Sequence, residues 1–264
     1  MSYTIKLNLA RNCLRYVIKT YHIQELFMPF YICPELIRAV RKEKCRIKFY
    51  HIDKTFYPLI DFPKTAFILY PNYFGICSRN INSLAAKYQN LIVDNAHNFY
   101  LKKCGLTSFN SLRKFFNVKD GAYLYIDKTL PQQFSKDTYT YNEFTIPLNY
   151  EELSQNETRL NTEDIKFISD TTERIINNLD NEKLKQNRLE KFYRYHQKFK
   201  NTNELHIELT QDDIPFVYPY LTKDTGTGSR LEKTGMLIIR YWTPIPDSFP
   251  EYDFYQYLVP IPLY

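Results

Sequence analysis

Asn90-Leu91-Ile92-Val93-Asp94-Asn95-Ala96-His97 is the stretch on which the fold turns. Leu91, Ile92 and Val93 form a continuous apolar run, too short for a buried helix and of the kind seen in a strand covered on both faces. The run ends on a carboxylate. The same pattern stands upstream at residues 65–70 (TAFILY). Between and before these runs the period changes to that of helices. Residues 9–21 put Cys13, Leu14, Val17 and Ile18 on one helical face, and residues 34–43 form a helix with Pro34 in its first turn, where a missing N–H costs nothing. Residues 78–89 form a third helix, for which Ser78 is the expected N-cap. Residues 25–30, 46–52, 107–109 and 121–127 read as further strands. This alternation predicts an α/β layer architecture with a mostly parallel sheet. Ligands of such sheets sit at the carboxyl ends of the strands. That singles out Asp94, the segment from Tyr70 to Gly75 and the loop after Asp53.

The 264 residues amount to 31.8 kDa, enough for one large domain or a medium domain with an appendage. With 44% hydrophobic and 24% charged residues the composition is globular, which excludes a mainly disordered chain. The 24 Tyr and 19 Phe accompany abundant Asn, Lys and Ile and read as the codon bias of an AT-rich genome rather than as an aromatic binding surface. The net charge of +6 is mild. Its densest basic run, Arg38, Arg41, Lys42, Lys44, Arg46 and Lys48, reads as a solvated face, so no nucleic-acid partner is expected. Five cysteines stand at 13, 33, 45, 77 and 104 without a CxxC pair, so neither a zinc site nor any other metal is expected. No apolar run is long enough to span a membrane, and Met1 to Asn8 is too short and polar for a signal peptide. A cytoplasmic protein with reduced thiols is the expectation.

The second half changes character. Residues 162–200 read as a long, charged, weakly amphipathic helical stretch, one long helix or two. Residues 206–209, 216–221 and 236–241 read as strands and residues 229–234 as a short helix, together a small α+β domain. The polar, proline-containing stretch 128–160 holds the expected boundary, which gives residues 1–150 to a large domain and 151–264 to a small C-terminal one.

Three constellations carry chemistry. Asp94 opens Asp94-Asn95-Ala96-His97: a carboxylate at a strand end can hold a protonated ring nitrogen, and His97 can reach a neighbouring ring oxygen. Taken alone, the pair also reads as a cap and a core histidine. Ser111-Leu112-Arg113-Lys114 places a hydroxyl three residues before an amine. The hydroxyl can bind a phosphate, and an amine in a desolvated, positively biased site becomes nucleophilic. Alone, that spacing is common by chance. Asn8-Leu9-Ala10-Arg11-Asn12 starts the first helix, whose terminal amides form an anion site with small Ala10 and charged Arg11 beside it. A ring-nitrogen carboxylate, a phosphate hydroxyl with a lysine, and a helix-end anion site are together the parts of a pyridoxal phosphate site.

In these segments the chain resembles the DegT/DnrJ/StrS-type sugar aminotransferases, a branch of the fold type I, aspartate aminotransferase-like pyridoxal phosphate enzymes. The resemblance runs in order through LARNCLRYVIK, FMPFYICPELIRAV, KFYHIDKTFYP, FILYPNYFGI, LIVDNAHNF and FNSLRKFFNVKDGAYLY. It continues more weakly through FVYPYL, TGMLIIRYW and LVPIPLY. It implies a three-layer large domain with a small C-terminal α+β domain, and pyridoxal 5′-phosphate as cofactor. By that resemblance Asp94 binds the pyridine nitrogen, His97 contacts the phenolic oxygen, Ser111 binds the phosphate and Lys114 is the Schiff-base lysine. Ala10 and Arg11 fall on the phosphate-binding turn. Tyr31 or Cys33 falls where the family stacks a residue on the ring, Tyr31 being preferred on chemical grounds. The family further implies a homodimer with shared active sites. It also implies transfer of an amino group from glutamate to a keto group of a nucleotide-linked sugar or similar carbonyl compound, in surface-polysaccharide synthesis. The turn reads Leu9-Ala10 where the family usually has Ser-Gly, and Gly121-Ala122 stands for Gly-Gly. These departures motivate the alternative of a catalytically degenerate relative that acts as a binding or partner subunit. A different pyridoxal phosphate reaction, dehydration or epimerisation, would keep the same lysine. Substrate-lining candidates are Asn72, Tyr73, Arg240 and Tyr241.

Overall fold

The computed structural model describes residues 2–138, 150–242 and 244–263. Strand β1 (Tyr3–Leu7) leads into helix α1 (Ala10–Tyr21), followed by β2 (Glu25–Pro29), α2 (Pro34–Lys42), β3 (Arg46–Tyr50), β4 (Phe67–Pro71), α3 (Ser78–Lys87), β5 (Leu91–Asn95), β6 (Thr107–Asn110) and β7 (Ala122–Ile126). The seven strands form one sheet in the order β1-β7-β6-β5-β4-β2-β3. Both neighbours of β7 pair with it antiparallel, while β2, β3, β4, β5 and β6 pair parallel. The mostly parallel α/β sheet is thus as the sequence predicts.

Alternation within the strands divides the core. Leu26, Met28, Leu69, Ile92, Phe109 and Leu124 face one side and pack with Leu14 and Val17 of α1 and Leu36 and Val40 of α2. Phe27, Ile68, Tyr70, Leu91 and Val93 face the other and pack with Ile81 and Leu84 of α3. All five residues of β5 are buried, as a strand in the middle of a doubly covered sheet requires.

After the described gap come α4 (Tyr150–Leu160), α5 (Asp170–Asn177), α6 (Asn181–Phe199), β8 (Val217–Leu221), α7 (Thr227–Glu232), α8 (Tyr252–Tyr257) and β9 (Leu258–Pro262). β8 and β9 make a separate antiparallel pair. Its Val217, Tyr218, Val259 and Ile261 join the same core as β4 and α3, so this second sheet closes over that face. The expected boundary at 150 adjoins residues 139–149, which lie outside the described residues.

Four local expectations are corrected. The 162–200 stretch, readable as one long helix or two, forms two, α5 and α6, but is helical only from Asp170. Residues 166–168 instead lie along β1, with Asn8 N–H donating to Lys166 O and Ile168 N–H to Lys6 O. Residues 3–7, in a segment read only as too short and polar for a signal peptide, form the edge strand β1, whose exposure decreases along its length. Residues 206–209 and 236–241 form no strand. Ile207, Leu209, Met236, Ile238 and Tyr241 of these segments pack against the aromatic core instead. Ser78 does not cap α3: the N-cap is Cys77, and the Ser78 hydroxyl is buried without a partner.

Candidate active site

The register of two strands assembles the first half of the site. β5 and β6 pair with Asp94 beside Phe109 and Asn95 beside Asn110. The chain leaving β5 therefore carries Ala96 and His97 alongside the chain leaving β6, which carries Ser111 to Lys114. A short 3-10 turn, Leu112–Lys114, then swings the lysine back over the strand ends. Leu112 N–H anchors the turn on Gly121 O at 3.0 Å. Gly121 has φ +114°, and a Cβ there would stand 2.6 Å from Leu112 Cδ1, so glycine is required.

Asp94 is buried, and its Oδ1 accepts Ala96 N–H at 2.8 Å. Burial pushes its carboxyl up to about 6, against the opposing pull of the Ala96 amide and the Lys114 amine. His97 is buried too. Its ring stacks between Phe216 (5.0 Å) and Trp242 (5.6 Å). Burial first, then the Lys114 amine, hold its pKa well below the usual imidazole value.

The state of Lys114 follows from the bonds around His97. Phe74 N–H donates to His97 Nδ1 at 3.2 Å. A backbone amide can only donate, so Nδ1 is the bare nitrogen and the neutral ring carries its proton on Nε2. Nε2 lies 3.0 Å from Lys114 Nζ. Its N–H donates there, and only an uncharged amine has a lone pair to accept it. Burial lowers the lysine pKa in the same sense, with Arg113 adding to it and Cys33, Asp94 and Glu157 opposing. The amine sits over the rings of Phe216 (5.2 Å) and Tyr241 (5.4 Å). A neutral, desolvated lysine is a nucleophile.

The Tyr73–Gly75 turn supports this geometry. Gly75 has φ +78°, and a Cβ would fall 2.2 Å from His97 O and 2.8 Å from Ile214 O. The backbones on either side of the histidine are in contact through this residue.

The other half of the site is built on charge. α1 starts at Ala10 without a side-chain cap on Leu9, which leaves the amides of Ala10 and Arg11 as its first-turn donors. Buried Asn8 fixes this start, donating to Asp164 O at 3.1 Å and accepting from Asn12 Nδ2 at 3.0 Å. The Arg11 guanidinium pairs with Glu35 at 2.7 Å and with Glu157 of α4 at 2.6 Å. Arg113 pairs with the other oxygen of Glu157. Despite its partial burial the Glu157 carboxyl is held down to about 2 by Arg113 and then Arg11. The Arg113 Nε–H is buried without a partner. An orphaned guanidinium donor next to Ser111 and uncapped helix amides is what a phosphate end requires. The residues present therefore fit pyridoxal phosphate at both ends.

Asp94, His97 and Lys114 are brought together, and Ser111 is buried at the start of their turn. Ala10 and Arg11 lie at the arginine end. Tyr31 lies deeper: its ring packs on Tyr73, Trp242 and Phe254, and its hydroxyl donates to Tyr241 O at 2.8 Å. The Cys33 thiol, by contrast, shares its electrostatic surroundings with Lys114, Asp94 and Arg11. Tyr241 lines the amine. Arg240 is exposed and donates to Gln256 O. Asn72 ties strand ends together, donating to Asn95 Oδ1 and accepting Cys77 N–H. Sequence reading did not find Glu157, Phe216 or Trp242, which reach the site from 43 to 128 residues downstream of Lys114 and leave no local spacing to detect.

No protein-family model matches the sequence, and no curated protein matches it. Solved structures do match the fold. An aminotransferase of the DegT DnrJ EryC1 StrS type from Brucella abortus superposes with a TM-score of 0.65 at 13% identity, over 98% of this chain and 80% of that one. Helicobacter pylori PseC, an aminotransferase involved in the biosynthesis of pseudoaminic acid, gives 0.64 at 14% identity over 98% and 81%. The sugar aminotransferase Spr1654 from Streptococcus pneumoniae, in its PLP form, gives 0.68 at 13% identity over 99% and 82%. The fold of this chain is that of the DegT/DnrJ/EryC1/StrS sugar aminotransferases.

Among the described residues, no helix is long and apolar enough to cross a membrane. No group of three or more His, Cys, Asp or Glu among them could hold a metal ion.

Proposed function

We propose that this chain is a pyridoxal phosphate-dependent aminotransferase. It transfers an amino group, from glutamate, to a keto group of a nucleotide-linked sugar or similar carbonyl compound. The observation that carries the reading is the position of the Lys114 amine, 3.0 Å from His97 Nε2 and in the electrostatic surroundings of buried Asp94, in the fold of sugar aminotransferases.

Each residue has a task that its surroundings suit. With pyridoxal phosphate bound, Lys114 would be the residue that holds its aldehyde carbon, and its amine would carry a proton to and from the substrate carbon. Asp94 holds the proton on the pyridine nitrogen, its charge undiluted by water. His97 reaches the phenolic oxygen, and Cys33 or Tyr31 lies along the ring. Ser111, Arg113 and the amides of Ala10 and Arg11 hold the phosphate. The bound cofactor supplies an electron sink. The dry aromatic wall of Phe216, Tyr241 and Trp242 keeps water from competing with the amine. In this reading residues 1–150 bind the cofactor and residues 151–264 close over it, the working unit is a homodimer, and the enzyme serves surface-polysaccharide synthesis in the cytoplasm.

The test is spectroscopic. Protein incubated with pyridoxal phosphate gains a visible band, and borohydride fixes the label on the peptide containing Lys114. Lys114→Ala removes both the band and glutamate-dependent amination. A wild-type chain that stays colourless with saturating cofactor, or a label on another lysine, overturns the assignment.

A further inference from the structure

A second cationic feature lies outside the Arg11–Arg113–Glu157 network. α6 carries Arg188 and Lys191, three residues apart and so on one face of the helix. Both line a cavity of about 260 Å³, together with Asn187 of the same helix and the rings of Tyr100 and Phe115. No acidic residue lines it.

Arg188 is held in place yet not neutralised. One of its terminal nitrogens donates to Phe216 O at 2.8 Å, and the guanidinium lies 4.7 Å from the centre of the Phe115 ring. Among the described residues no carboxylate pairs with it, and its Nε and second terminal nitrogen have no partner. Lys191 has no carboxylate partner among them either. Burial lowers the pKa of Arg188 to about 10, and burial together with Arg188 and Arg194 lowers that of Lys191. Burying the Arg188 guanidinium beside a second positive charge, with no anion to offset it, is unfavourable. An arginine that lines a cavity and is fixed by one nitrogen keeps donors with which to receive a planar or tetrahedral oxyanion.

The cavity is also adjacent to the reaction centre. Phe115 follows Lys114 directly, and its ring lies 5.6 Å from that of Phe216. The Phe216 ring supports the Lys114 amine on one side, while its carbonyl holds Arg188. Phe216 thus touches both the Lys114 amine and the arginine of the cavity.

We propose that this cavity is a substrate subsite that binds an oxyanion, carboxylate or phosphate, through Arg188 and Lys191, with Phe115 and Tyr100 flanking it. Calling the ligand a substrate rests on the reading of Lys114 as the reactive amine; the anion site itself does not. A carboxylate there belongs to the amino donor, and a phosphate belongs to an activated carbonyl substrate.

Calorimetric titration of the full chain with glutarate and, separately, with pyrophosphate tests the proposal, using wild type, Arg188→Gln and Lys191→Met. The expected result is binding of at least one anion by wild type. Arg188→Gln weakens it about tenfold or more, as loss of a charge-assisted bidentate contact does. Lys191→Met, which removes a point charge, weakens it about threefold. Glutarate alone identifies the donor carboxylate, and pyrophosphate alone the phosphate of the acceptor. Should Arg188→Gln fail to fold for want of its bond to Phe216 O, Lys191→Met decides. Absence of binding by wild type, or equal binding by wild type and the folded variants, overturns the subsite. The cofactor label on Lys114 is read independently in all three proteins. Arg188-dependent anion binding without a label would sink the aminotransferase reading and leave this site standing; a label without anion binding would do the reverse.

Discussion

The two ends of the candidate site solve opposite electrostatic problems. At the lysine end, burial strips charge away: Asp94 is pushed up, His97 and Lys114 are pushed down, and aromatic rings replace water. At the arginine end, charge is kept and balanced by charge, with two guanidiniums on one carboxylate. The first arrangement keeps its groups close to exchanging protons. The second holds its shared carboxylate, Glu157, far below neutral pH and can only exchange one anion for another. A reaction that moves protons at one end of a cofactor while gripping a phosphate at the other needs both.

The contrast can be broken most violently at Gly75. Gly75→Ala must displace the backbone of His97 or Ile214 and adopt a strained φ, at a cost on the order of 3 kcal/mol. Chemical denaturation should show that loss, and the aldehyde-labelling rate of Lys114 should fall with it. A stable, fully reactive variant would mean that the lysine end is not braced through this turn.

Asp94→Asn separates stability from function. Asp94 rises from 3.8 in the unfolded chain to about 6 when folded, so the folded state holds a proton that the unfolded state releases. Stability of the cofactor-free protein therefore falls as pH rises through that window, by up to about 3 kcal/mol. The asparagine variant should lose this dependence, melt several degrees higher at pH 7.5, and lose amination. A variant less stable than wild type at that pH would contradict the desolvated carboxylate.

Glu157→Gln addresses the arginine end. It should destabilise the cofactor-free chain by about 1 kcal/mol, a loss that added inorganic phosphate restores for the variant more than for wild type. In wild type the Glu157 pairing is complete above the ordinary carboxylate pKa of 4.5 and is lost as pH falls toward 2. The variant should lack that acid-side decline. Phosphate stabilising both proteins equally would show that the carboxylate and the anion do not share the arginines.

The smallest effect is expected of His97→Gln, whose amide can still donate to the lysine. The pH at which Lys114 becomes reactive should shift by less than about one unit, whereas His97→Phe should raise it further. Identical profiles in all three proteins would remove the histidine from the account of the neutral amine.

The lysine end was legible in the sequence because it is built by register. Once residues 90–94 and 107–109 are read as parallel neighbours, Asp94, His97, Ser111 and Lys114 fall at adjoining strand ends. The arginine end was half legible: Ala10 and Arg11 announce a helix start, but Glu157 meets Arg11 across 146 positions and has no spacing to betray it. The same holds for the apolar run 236–241. Its composition suits a strand, yet Tyr241 at its end packs on the rings of Phe74 and His97, and Met236 and Ile238 join the same aromatic core. β1 was missed for a third reason. On the edge of a sheet only part of the strand is buried, and the apolar signal is correspondingly thin.

Trp242 is the sole tryptophan of the chain, and its ring lies nearly parallel to that of His97. Excited at the red edge of its absorption, where the 24 tyrosines contribute little, the protein emits from one place, against the histidine that touches the Lys114 amine. Any event at that amine, whether a change of protonation, a bound aldehyde or a rearranged ring stack, is then written into a single fluorophore.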